Sequence, residues 1–146
     1  MKTKKLNYLF KIFLFSALAL IACNTMSYFD QYAYTQSTSI KVDAQNLMDM
    51  ATEDYKSHEK EVKEVNTKIQ KIYEYEKNRP KNEFTIKQWE ILRDTTKDLY
   101  GGFIAMWRKN GKVGKTFIEN KKEQIGKAFD QISQLESKKI KQSEVK

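Results

Sequence analysis

The sequence is poor in the residues that staple or punctuate a fold. Its 146 residues include one cysteine, one histidine, one proline and five glycines. A single cysteine excludes an internal disulfide and any multi-cysteine metal site. A single histidine, His58, has no partner at ligand spacing, and its neighbours Glu59 and Glu61 look solvated. A half-buried, hydrogen-bonded histidine is the reading for His58. Gly-rich phosphate loops and nucleophile elbows are missing as well. These absences point away from catalysis, from a metal and from a dissociable cofactor.

What the chain does have is charge. Basic residues number 27 and acidic ones 19, and 32% of the chain is charged against 40% hydrophobic. That balance, with so little proline and glycine, fits a helix-rich protein rather than a sandwich, a barrel or a collagen-like fibre. The formal charge is +8, but Lys2, Lys4, Lys5 and Lys11 fall in a first segment of 22 residues without an acid, leaving about +4 for the rest. That excess is too modest to imply nucleic acid, and no basic stripe is interleaved with stacking aromatics.

The first segment has the layout of a secretory signal. Met1 to Lys5 is basic, and Leu6 to Ala22 is apolar apart from Asn7, Lys11 and Ser16. The uninterrupted stretch between Lys11 and Cys23 has about 11 residues, whereas a membrane span needs roughly 20. Such a leader stands outside fold reasoning.

It ends in Leu20-Ile21-Ala22-Cys23: an aliphatic residue, a tolerant position, a small residue and the sole cysteine. The stretch resembles the lipobox of bacterial lipoproteins. That resemblance implies cleavage between Ala22 and Cys23, a diacylglyceryl group on the Cys23 sulfur and an acyl chain on its new amino group. More than one chain is needed for stable anchoring, at about 0.8 kcal/mol per buried methylene. Asn24, where enterobacterial lipoproteins retained in the inner membrane carry aspartate, leans the address toward the outer membrane. No acidic cluster follows Cys23, which leans it toward the periplasmic face.

Residues 23–41 read as a lipidated cysteine and a flexible tether, because Thr35-Gln36-Ser37-Thr38-Ser39 carries no helical period. Tyr28, Phe29, Tyr32 and Tyr34 in this stretch have two readings. They sit among lipid headgroups, where tyrosine is favoured, or they fold back onto the domain.

Residues 42–146 read as the helical domain. Ala44, Met48, Ala51, Tyr55, His58, Val62, Val65, Ile69 and Ile72 alternate three and four apart, a heptad seam that predicts one helix from Val42 to about Asn78. Arg79-Pro80 ends it. A second helix is expected from Thr85, as a cap with Gln88, with Phe84 stapled onto Trp89. It runs through Trp89, Leu99, Tyr100, Phe103, Met106 and Trp107, with Gly101-Gly102 either kinking it or admitting a neighbour. Lys109 to Gly114 reads as a turn. A third helix starts near Thr116 and frays at Lys138-Lys139-Ile140-Lys141. Short connections make neighbours antiparallel. The expected fold is all-α, an elongated antiparallel three-helix bundle: the long first helix, then a helical hairpin.

Tyr100, Phe103 and Trp107 belong to a stretch with more apolar surface than one neighbour normally buries. They are the candidate partner surface, in the residue types that anchor interfaces. The sequence thus supports a small lipid-anchored envelope protein. It acts as a non-catalytic binding module, of an exclusion, immunity or inhibitor type, through an envelope protein or polymer. The alternative is a structural, self-associating spacer, since the seam and the final Lys146 resemble the murein lipoprotein family. Pro80, Gly101-Gly102 and Gly111 break the continuous helix of that family, so wall attachment is not carried over.

Overall fold

A computed structural model describes residues 27–137 together with residues 140 and 145. The leader, Ala22, Cys23 and Lys146 lie outside them. The described residues form five helices: α1 (Gln31–Asp49), α2 (Glu59–Lys77), α3 (Glu83–Arg93), α4 (Tyr100–Asn110) and α5 (Lys115–Glu136). Short 3-10 turns occupy Met50–Thr52 and Tyr55–His58, and no strand occurs among the described residues.

Helix α1 begins inside the expected tether. The Asp30 carboxylate accepts the Ala33 N–H at 2.8 Å, an N-cap that satisfies an otherwise orphaned donor. Residues 31–41 are therefore helix, not linker. Their period is carried by small residues: Ala33, Ser37, Ile40 and Ala44 are all buried on one face. Ser37 and Thr38 bond back to the Tyr34 carbonyl at 3.0 Å, which lets hydroxyl side chains sit in a helix. The Ser37 and Ser133 hydroxyls meet at 2.9 Å between α1 and α5.

The heptad seam is real as a pattern of burial and absent as a continuous helix. Ala44, Met48, Ala51, Tyr55, Val62, Val65, Ile69 and Ile72 are all buried. The chain nevertheless turns back over residues 50–58, so that α1 and α2 form an antiparallel pair. Lys68 reaches Asp43 at 2.8 Å and the Tyr75 hydroxyl reaches Asp30 at 2.7 Å. The reason is tertiary. The Tyr55 N–H donates to the Gly111 carbonyl and the Val113 N–H to the Ala51 carbonyl, both at 2.8 Å. These bonds replace helical ones at the break, and Asp54 caps the second 3-10 turn by accepting the Lys56 N–H at 3.0 Å.

The expected second helix also divides. It starts at Glu83 after Asn82, so Thr85 is not its cap; Thr85 is buried and its side chain serves Glu136 instead. It stops at Arg93, where the Asp94 carboxylate accepts both the backbone N–H and the hydroxyl of Thr96 at 2.8 Å. Gly101 and Gly102 then open α4 directly against the backbone of Arg93 to Lys97, where a Cβ would overlap carbonyl atoms. The pair is there for close approach. Helices α3 and α4 run as one broken leg along α2: Tyr73 donates to Glu90 at 2.9 Å, and Tyr100 donates to Asn66 at 3.1 Å.

Helix α5 begins one residue before the expected Thr116 and returns along α1, with Lys41–Asp130 and Lys122–Asp49 pairs at 2.6 Å. It also packs on α3, where Trp89 and Phe129 meet edge to face. The bundle has four legs, α1, α2, α3–α4 and α5, each antiparallel to its neighbours, rather than three. Every described residue of the hydrophobic core lies between Ala33 and Leu135. No described helix is long and apolar enough to cross a membrane.

Candidate functional site

Two regions hold the features from which function can be argued. The first is the end of the bundle where Ser27–Asp30, the α2–α3 turn and the end of α5 converge. Arg79 sits at its centre. One guanidinium nitrogen pairs with both Glu76 and Glu136, and another donates to the Ser27 hydroxyl and the Tyr28 carbonyl at 2.7 Å. Asn82 donates to Glu76 as well. Arg79 thus ties the segment entering the bundle to α2 and α5.

The two carboxylates outnumber the one guanidinium. Burial, with the nearby Glu136 charge, raises the Glu76 carboxyl to about 7. Burial raises Glu136 too, against the pull of Arg79. Like charges sharing a dry site cannot both ionise cheaply. Asp30 behaves oppositely: burial would raise it, but the Ala33 N–H, the Tyr75 hydroxyl and Arg79 hold it below the ordinary range. Around this polar knot lies an exposed aromatic rim of Tyr28, Phe29, Tyr32 and Tyr75, with Tyr32 and Tyr75 edge to face at 4.7 Å. Sequence reasoning noticed the tyrosines and missed the knot. Its one visible sign was Arg79, one of only three arginines among the 27 basic residues.

The second region is where the partner surface was expected. The structure buries Tyr100, Phe103 and Trp107, with 1%, 3% and 0% of their surface exposed. They are core residues, and the expectation is corrected. The excess apolar circumference of this stretch meets two neighbours instead of one: α2, and the turn that follows α1. Trp107 donates to the Glu53 carbonyl at 3.0 Å and packs on Tyr55 and His58. His58 is half-buried and bonds Glu53 at 3.0 Å. No group of three metal-ligating side chains occurs among the described residues.

Beside these core residues, at the break between α3 and α4, a cleft of about 240 Å³ opens toward α2. Arg93 and Arg108 line it, with Asn66 and Gln70 from α2 and an apolar floor of Ile69 and Ile104. Arg93 stands in no recognisable sequence motif, and Arg108 only opens the basic stretch to Lys115, whose plain reading is a solvated turn.

Comparison with protein-family models, with curated proteins and with solved structures finds no match to this chain.

Proposed function

We propose that the chain is a lipid-anchored protein of a bacterial envelope that acts as a non-catalytic binding module. The observation that carries the anchor is Leu20-Ile21-Ala22-Cys23 at the close of an apolar leader. Residues 1–22 are removed and Cys23 is acylated. The bundle offers a consistent setting for that anchor. Three residues lie between Cys23 and Ser27, so the four Cα-to-Cα steps reach at most about 14 Å when fully extended. Acyl chains on Cys23 therefore hold the Arg79 end of the bundle close to the lipid. The exposed Tyr28, Phe29 and Tyr32 lie at that end, suited to the headgroup layer where tyrosine is favoured. Asn24 and the lack of a following acidic cluster favour the outer membrane and its periplasmic face.

A binding role is favoured over a self-associating spacer by the fate of the seam. Its apolar residues pack inside one chain, so the surface that motivated a spacer is spent on the core.

Intact mass of membrane-fraction protein, wild type beside Cys23→Ala, tests the anchor. The expected result is loss of residues 1–22 with added acyl mass, both abolished in the variant. An unmodified mature chain or a retained leader overturns the proposal.

A further inference from the structure

Arginine is rare here: 24 of the 27 basic residues are lysine. Of the three arginines, Arg79 is neutralised by Glu76 and Glu136. The other two, Arg93 and Arg108, have no carboxylate within ion-pair distance among the described residues, and both line the same cleft. No acid lines it either. Six of the lysines, by contrast, hold carboxylates.

Both guanidiniums are held in place by neutral groups. Arg93 lies over the Tyr73 ring at 4.4 Å, a cation–π contact that fixes it without cancelling its charge. One of its terminal nitrogens, Nη1, is shielded from solvent and has no hydrogen-bond partner. Arg108 gives Nε and Nη2 to the Tyr55 hydroxyl at 2.9 and 2.7 Å, leaving Nη1 of the fork for another acceptor. Asn66 adds an amide donor at the rim, its oxygen being taken by the Tyr100 hydroxyl, while the Gln70 amide donates to Glu74 at 2.6 Å. Ile69, Ile104 and Ala105 supply an apolar wall. Planar, weakly hydrated guanidiniums match the paired oxygens of carboxylate and phosphate better than lysine does.

We propose that this cleft, between α2 and the break in the third leg, binds the oxyanion group of a ligand, a carboxylate or phosphate on a molecule of about sugar or amino-acid size. The site names a ligand chemistry for the binding role and rests on that part of the proposed function. It does not depend on acylation of Cys23, so the mass measurement and the binding measurement fail separately.

The test is an NMR amide-shift titration of the chain from residue 23 onward, which retains every described core residue, at constant ionic strength. The probes are inorganic phosphate, glucose 6-phosphate, glucuronate and, as neutral control, glucose. Saturable shifts are expected at Gln70, Gly101 and Ala105 with the anions and not with glucose. Arg93→Gln and Arg108→Gln should each weaken binding roughly 10- to 100-fold, the size of one lost charge-assisted hydrogen bond. Arg93→Lys, which keeps the charge and the stem, should fold and bind with intermediate strength. Lys109→Gln, beside the cleft but not lining it, should leave binding unchanged. A preference for glucose 6-phosphate or for glucuronate identifies the group. Shifts that never saturate, spread over the lysine faces, or persist in the doubly substituted Arg93→Gln/Arg108→Gln chain overturn the proposal.

Discussion

The indole N–H of Trp107 donates to the backbone carbonyl of Glu53, 54 residues earlier in the chain, at 3.0 Å. This bond sits in the turn where a continuous heptad helix would have placed an intrahelical bond. Together with the two backbone bonds from Tyr55 and Val113, it holds α1 and α2 as a hairpin.

Trp107→Phe keeps much of the buried ring and deletes that donor. It should lower stability by about 1–3 kcal/mol for the unpaired carbonyl and the lost ring area. Urea unfolding followed by circular dichroism checks this. A midpoint unchanged from wild type would show that the turn does not need the bond.

Gly101→Ala and Gly102→Ala should each be severely destabilising, because the added Cβ meets backbone that has no rotamer to move to. Gly114 is the contrast. It is the N-cap of α5 with open space around its Cα, and Gly114→Ser should be neutral or stabilising by a few tenths of a kcal/mol. Thermal melts of the three variants side by side decide the matter.

Stability should depend on pH through Glu76. Its carboxyl rises from 4.5 to about 7 on folding, so the folded state holds a proton that the unfolded state gives up. The associated stability is fully present below about 4.5 and is lost as pH climbs through 7, on the order of 2–3 kcal/mol in all. Asp30 works in the other direction: its lowered carboxyl stabilises above about 4 and stops doing so as pH falls further. Through these two groups unfolding free energy should therefore peak between about pH 4 and 4.5. Glu76→Gln should flatten the decline between pH 5 and 7.5; a decline of undiminished slope would place its origin elsewhere.

The chain from residue 23 onward, without lipid, should sediment as a monomer at micromolar concentration. Its seam residues are already buried within one copy. A stable dimer or larger species would show that some other face carries self-association.

Much of this was written in the sequence at the level of which residues go inside. The three- and four-residue spacing from Ala44 to Ile72 marked eight core positions correctly, because burial follows local periodicity, and the helix expected from near Thr116 is α5. Small residues concealed the start of α1, since Ala33 and Ser37 carry a stripe without hydrophobic bulk. Helix continuity was decided by the tertiary structure. The turn at residues 50–58 exists because Gly111, Val113 and Trp107 supply its hydrogen bonds from a distant segment, and no local propensity encodes that. The same holds for the two charged sites. Arg79, Glu76 and Glu136 are far apart or unremarkable along the chain, as are Arg93 and Arg108. Only the packing of four legs dries the Arg79 knot and sets Arg93 and Arg108 on one cleft.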